Sequence, residues 1–297
     1  MSFSLEQLRA FTTAAEQGSF SAAARKLGKS HSSVSELISA LEIECNLPLF
    51  DRSKRSPVLT EDGQALLLEA KHILWAAENL AGKARGLSEG VGAKLSLVYD
   101  DAALPKQVLT KVLEDFGKEF PHVALEILQA TSRDVYELVK EGRAEIGVML
   151  TQENLVKGVH FQGIGRSSFI RVVAPQHPLN KPGLISEAEF RQHRLITHTG
   201  LIHSEALKWE DVSALIWYCD TFSAVAELVR KGLGWTTIPT HLVQADIENG
   251  DLVEITYASQ PIPYPINVDC IWSTDKVLGK AGHWLQQALQ RELHPDN

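Results

Sequence analysis

Cysteine is scarce in this chain: Cys45, Cys219 and Cys270 are the three among 297 residues. They lie far apart, are odd in number, and show none of the short Cys-Cys or Cys-His spacings of a zinc site. A disulfide framework is therefore not expected. Long apolar runs are also missing, since nothing approaches the roughly 18 residues that read as a membrane span. The opening Met1-Ser2-Phe3-Ser4-Leu5-Glu6 has neither the basic nor the apolar region of a signal peptide, so the expectation is a cytoplasmic chain with no membrane partner. Several catalytic signatures are absent too: there is no Gly-x-Gly-x-x-Gly, no P-loop and no His-Glu-x-x-His. The 11 histidines offer pairs such as His198 and His203, but they are scattered among loops and read as solvated or core residues. No catalytic residue, metal site or cofactor is expected.

An excess of positive charge is lacking as well. The net charge is −8, from 29 basic and 37 acidic residues, which argues against nonspecific polyanion binding by the chain as a whole. The distribution is uneven. Residues 1–60 carry Arg9, Arg25, Lys26, Lys29, Arg52, Lys54 and Arg55 against Glu6, Glu16, Glu36, Glu42, Glu44 and Asp51, a slight positive balance. The remaining residues hold all of the acidic excess, so a nucleic-acid partner belongs to the N-terminal segment. With 44% hydrophobic and 22% charged residues the chain is an ordinary globular protein, long enough for two domains.

The N-terminal segment reads as three short helices and a hairpin. Leu5, Leu8, Phe11 and Ala15 recur at helical spacing, Ser4 and Gln7 stand at capping-box spacing, and Gly18 is a stop. Ser19 caps a second helix, Phe20 to Leu27, with a close-packing Ala22-Ala23-Ala24 run and a break at Gly28. A third runs from about Ser32 to Glu42, where Ser33 and Glu36 have capping-box spacing and Val34, Ile38 and Leu41 form an apolar stripe. On a helical wheel Ser32, Glu36 and Ser39 lie opposite that stripe, with Ser35 on its flank. Two helices joined by a tight glycine turn, the second starting with small polar residues, form the helix-turn-helix pattern. The basic stretch Asp51-Arg52-Ser53-Lys54-Arg55-Ser56, returning through Val58-Leu59-Thr60, has the chemistry of a wing that tracks phosphates. Candidate DNA-contacting residues are Ser30, Ser32, Ser33, Ser35, Glu36, Ser39, Arg52, Lys54 and Arg55.

Thr60 caps a long amphipathic helix whose stripe is Leu66, Leu67, Ala70, Ile73, Leu74, Ala77 and Leu80, followed by Gly86, Gly90 and Gly92 as a flexible connection. Strands and helices then alternate. Lys94–Tyr99, Val123–Leu128 and Ile146–Leu150 are strands separated by two helices, which predicts a parallel sheet. A second unit has strands at Ile170–Ala174, Leu195–Thr197 and Ile216–Tyr218, a helix over Ala224–Lys231, and a return through Pro261 to Pro265 into the strand Ile266–Trp272 and a terminal helix. Ligands of such sheets bind at the carboxyl ends of strands and at helix N-termini. Those positions supply Asp100, Asp101, Thr131, Ser132, His198, Thr199 and Phe222, whose Ser, Thr and Asp members are also ordinary helix caps. The paired acids hint at a cationic or donor-rich ligand.

Leu5, Leu8 and Phe11; Gly18-Ser19-Phe20 with Ala23-Ala24; Val34-Ser35, Ile38 and Leu41-Glu42; Leu49-Phe50-Asp51-Arg52; and Leu59-Thr60 with Gly63 together resemble the N-terminal signature of LysR-type transcriptional regulators. Val173-Ala174-Pro175-Gln176-His177-Pro178-Leu179 and Gly232-Leu233-Gly234 with Ile238-Pro239 are similar to landmarks of the same family. The sequence departs from the family at Glu36, Leu37 and Ser39, where Arg, Gln and Arg are usual. The resemblance implies a winged helix-turn-helix over 1–59, a linker and dimerisation helix over 60–88, a hinge over 89–93 and an effector-binding domain over 94–297. That domain would be two Rossmann-like subdomains of periplasmic-binding-protein type, I (94–164 and 268–297) and II (165–267), enclosing the effector cleft. The implied partners are a double-stranded DNA operator, a small-molecule effector, a second copy or three in a homodimer or homotetramer, and RNA polymerase. The implied activity is effector-modulated, sequence-specific DNA binding. The alternatives are an architectural DNA-binding protein without effector control and a small-molecule-processing enzyme.

Overall fold

The computed structural model describes residues 3–53, 57–88, 90–152, 157–201, 213–256 and 264–293. The chain divides into two compact units, residues 1–88 and 89–297.

In the first unit, α1 (Leu5–Gln17) begins at a capping box in which Gln7 N–H donates to Ser4 Oγ, and it stops where Gly18 takes φ +59°. Helix α2 (Phe20–Leu27) starts at Ser19 and closes on Gly28, with Lys29 N–H donating to the Ala24 carbonyl. Helix α3 (His31–Cys45) starts one residue after Ser30, whose Oγ accepts from Ser33 N–H at 3.1 Å. This corrects the expected cap: Ser33 lies inside the first turn, Glu36 lies beyond it, and the two form no capping box. The hydroxyl three residues before Ser33 reaches its N–H first, because Ser30 already has the extended backbone a cap requires (φ −75°, ψ 155°).

Val34, Ile38 and Leu41 of α3 are fully buried against Leu8, Phe11 and Phe20. Phe50 meets Phe11 and Phe20 edge-on at 5.7 and 5.1 Å. Strands β1 (Phe50–Asp51) and β2 (Val58–Leu59) pair antiparallel as the base of a wing. Helix α4 (Glu61–Ser88) follows, with Gly63 N–H donating to Thr60 Oγ1. Gly86 therefore sits within this helix rather than in the connection. At Gly63 a Cβ would come within 2.2 Å of the Leu49 carbonyl oxygen, so this close approach requires glycine. Part of the expected interface stripe turns inward: Ala70 is buried, and Leu66, Leu67 and Leu74 pack on the same core as α1 and α3. Ile73 and Leu80 remain exposed, as do Leu68 and Trp75.

The second unit opens with β3 (Lys94–Tyr99), α5 (Lys106–Glu119), β4 (Ala124–Gln129), α6 (Ser132–Lys140) and β5 (Ile146–Leu150). Here β3 pairs parallel with both β4 and β5. The next strand, β6 (Val159–Val173), is far longer than the Ile170–Ala174 segment expected. Next come α7 (Glu187–Arg191), β7 (Leu195–His198), β8 (Ile216–Cys219), α8 (Phe222–Arg230), β9 (Thr236–Pro239), α9 (Thr240–Asn249), β10 (Val253–Glu254), β11 (Tyr264–Ser273) and α10 (Lys280–Leu293). Strand β11 runs antiparallel to both β5 and β6, and β9 and β10 join β6 antiparallel. The three strands expected to be parallel are so, and the antiparallel β6, β9, β10 and β11 make the complete sheet mixed. Strands β6 and β11 pair antiparallel from Val159 opposite Ser273 to Phe169 opposite Tyr264, and so run together from one half of the domain to the other. Helix α10 docks on α5 through Phe116, Phe120 and Trp284, whose rings lie 5.2–5.9 Å apart.

Candidate functional site

In the N-terminal unit, the exposed side of α3 holds Ser32 and Glu36, with Ser35 and Ser39 half-buried beside them. Ser30 Oγ lies 2.8 Å from Ser32 Oγ and 2.9 Å from Ser33 Oγ, so three of the candidate serines form one hydroxyl cluster at the helix start. Ser35 and Glu36 make no hydrogen bond or ion pair among the described residues. Arg52 is placed differently from a free phosphate contact. Its Nη2 donates to Glu42 Oε2 at 2.7 Å and to Ser39 Oγ at 3.0 Å, and its guanidinium lies 5.6 Å from the centre of the Phe20 ring. Glu42 Oε1 in turn accepts from the N–H groups of Leu49 and Phe50 at 2.8 and 3.1 Å. Glu42 and Arg52 thus clamp the wing base to α3. Lys54 and Arg55 lie outside the described residues.

Among the described residues, four other cations of this unit are paired internally, Lys29 with Glu6, Lys26 and Lys71 with Glu16, and Arg9 with Glu78. Arg25, exposed in the last turn of α2, has no partner among the described residues. Sequence reasoning passed over Arg25 because spacing alone does not show which cations are neutralised by neighbours.

In the C-terminal unit the strand-end residues do converge. Asp100 follows β3, Thr131 and Ser132 open α6, His198 ends β7, Thr199 follows it, and Phe222 opens α8. A Cβ on Gly200 would lie 3.0 Å from His198 Nδ1 and 3.1 Å from Thr131 Cβ, so the two halves meet at this point. The polar atoms, however, are largely engaged with one another. Asp100 is 5% exposed. Its Oδ2 accepts from Ser132 Oγ at 2.5 Å and its Oδ1 from Ala102 N–H at 2.8 Å, while Ser132 Oγ also accepts from Leu150 N–H at 3.0 Å. Burial pushes the Asp100 carboxyl above the usual carboxylate range, opposed by the hydrogen bonds from Ser132 and Ala102.

His198 accepts from Gly200 N–H at Nδ1 (3.1 Å) and lies 3.0 Å from the Asp220 carbonyl at Nε2. This pair of contacts fixes the neutral tautomer that carries its proton on Nε2. The ring stacks on buried Phe222 at 4.2 Å and 11°. Thr131 Oγ1 caps α6 and donates to Asp134 Oδ2. Of the seven candidates, Thr199 is exposed and Asp101 half-buried, and neither side chain is hydrogen-bonded among the described residues.

Two residues absent from the expected set join the halves. His241 Nε2 lies 2.8 Å from the Asp101 carbonyl, and Ser167 Oγ donates to the Ala102 carbonyl at 2.6 Å. His241 is the second residue of α9, which follows β9 directly, so the strand-end rule that found His198 points to it as well. His203 lies outside the described residues. Burial pushes the Cys270 thiol up to about 12 and raises those of Cys219 and Cys45, leaving all three as protonated, weakly nucleophilic groups.

The family model described as the LysR substrate binding domain matches residues 90–294, and that of the bacterial regulatory helix-turn-helix protein, lysR family, matches residues 5–64. The chain belongs to the LysR family of transcriptional regulators. Members bind DNA, and ligand binding in the substrate-binding domain modulates their activity. The chain is 30% identical over 287 residues to the HTH-type transcriptional regulator AceR of Acinetobacter baumannii, covering 96% of each. It is 28% identical to the multiple virulence factor regulator MvfR of Pseudomonas aeruginosa, over 91% of this chain and 81% of that one. Among solved structures, an OxyR mutant of Corynebacterium glutamicum is similar with a TM-score of 0.56 and 22% identity, over 98% of this chain and 92% of that one. Full-length CbnR, solved in complex with its target DNA, is similar with a TM-score of 0.53 and 19% identity, over 98% and 99%. Among the described residues no helix is long and apolar enough to cross a membrane.

Proposed function

We propose that this regulator reads its operator with the Ser32, Ser35, Glu36 and Ser39 face of α3, while Arg25 and the wing residues Lys54 and Arg55 neutralise phosphates. The observation that carries this reading is that Ser35 and Glu36 on the polar side of α3 have no partner among the described residues, although Val34, Ile38 and Leu41 hold the helix rigidly in the core. The effector enters the cleft where Thr131 approaches Gly200, and it bonds Thr199 and the Asp101 carboxylate, which favours a donor-bearing molecule. The chain acts as a cytoplasmic homo-oligomer, its exposed Ile73 and Leu80 covered by a second copy, and it catalyses no reaction.

Selection of duplexes by the full-length protein from a randomised pool, followed by footprinting, tests this. The expected product is a pair of half-sites about one helical turn apart or a multiple of that. Recovery of sequence-independent binding instead would favour an architectural role.

A further inference from the structure

The helix that presents this face carries no Lys or Arg anywhere between His31 and Cys45, but it does carry Glu36, Glu42 and Glu44. Glu42 is engaged by two backbone N–H groups and by Arg52. Glu44 lies half-buried near the helix end. Glu36 is exposed, stands clear of the capping role that Ser30 fills, and has no partner among the described residues. Arg52, the described cation that does reach α3, is held at Ser39 and Glu42.

An ionised carboxylate has acceptors only, and in a groove lined by phosphates it is repelled unless a base donates to it. The major groove offers two such donors, cytosine N4–H and adenine N6–H. Adenine presents the N7 lone pair beside its donor, which repels the second carboxylate oxygen, whereas cytosine offers a donor with no adjacent acceptor of its own. We propose that Glu36 specifies one C·G base pair in each half-site by accepting a hydrogen bond from cytosine N4. This rests on the reading that α3 enters the major groove.

The test uses the full-length protein and the same randomised duplex pool, comparing wild type with Glu36→Gln, Glu36→Ala and Ser35→Arg. Wild type should favour cytosine at one position per half-site by roughly five- to hundredfold over other bases. Glu36→Gln should move that preference to adenine, since an amide donates to N7 and accepts from N6–H. Glu36→Ala should erase the preference there and leave the other positions intact. Unchanged thermal melting of each variant establishes that the substitution leaves the fold alone. If both Glu36 variants keep the wild-type preference at every position, with affinity shifted evenly, the proposal is overturned. Ser35→Arg separates the two ways this can happen. A new guanine preference would mean that α3 does lie in the groove and only the Glu36 assignment fails. No change at any base would mean that the groove reading itself fails.

Discussion

On the outer side of α3, Ser35 and Glu36 have no partner among the described residues, while in the other unit Asp100, Ser132, Thr131 and His198 bond one another or the nearby backbone. The same residue types, Ser, Thr and acids at element starts, thus serve two ends. A side chain on an exposed helix face costs nothing to leave in water. A side chain at a buried strand end must find an internal partner, because an unsatisfied buried polar group costs about 1–3 kcal/mol. The free set is suited to meeting a large external partner, and the engaged set to holding a cleft in shape.

Three measurements sharpen this contrast. The largest expected effect falls on His177, a second engaged group of the C-terminal unit. It is 6% exposed, its Nδ1 accepts from Leu179 N–H at 3.2 Å, and burial, aided by neighbouring His193, holds its pKa down to about 4. Because the folded state refuses a proton that the unfolded chain accepts below its ordinary value of about 6.5, this residue's contribution is full above that value. It is lost as pH falls from about 6.5 to about 4, by up to about 3 kcal/mol. Urea unfolding of the C-terminal unit at stepped pH should show that loss, and His177→Gln should flatten it. An equal slope in both proteins would show that His177 is not a committed group.

A smaller effect is expected at the cleft. Ser132→Ala strips a donor from buried Asp100 and an acceptor from Leu150 N–H, so the C-terminal transition should weaken by about 2 kcal/mol. Ser35→Ala, on the free side, should change stability by less than about 0.5 kcal/mol. Equal losses in the two would remove the distinction between engaged and free groups.

The smallest effect separates two arginines. Arg52→Ala breaks a half-exposed ion pair and should cost under about 1 kcal/mol in stability, with the salt dependence of DNA binding almost unmoved. Arg25→Ala should leave stability alone and reduce the slope of log K against log salt by about one. Titrations of the selected duplex at several salt concentrations measure both, and a reversed pattern would mean that Arg52 leaves Glu42 for phosphate on binding.

Much of the N-terminal unit is legible in the residues because its signals are local. Ser4, Gln7, Gly18, Ser19 and Gly28 act within four residues of themselves, and the Val34, Ile38 and Leu41 stripe needs only the helical period. The start of α3 is legible only to within a residue or two, since Ser30, Ser32 and Ser33 all have cap chemistry and backbone conformation selects among them. In the other unit β3 and β5 announce themselves as apolar runs. The first half of β6, with Gln162, Gly163, Gly165 and Arg166, does not, because its extended form depends on pairing with β11 about a hundred residues later.

By itself the sequence determined the order of the N-terminal helices and of β3 to β5, the rigid α3 with its cation-free face, the placing of positive charge at the N-terminal end and the strand-end positions that would meet. Only the tertiary structure decided which of those groups are available. It tied Arg52 to Glu42 and Ser39, turned Leu66, Leu67 and Leu74 onto their own core, closed Asp100 on Ser132, and brought His241 and Ser167 to the Asp101–Ala102 carbonyls. The physical reason is range: caps and helical periods act over a few residues, whereas hydrogen bonds and ion pairs between distant segments form only after the chain has brought them within about 3 Å.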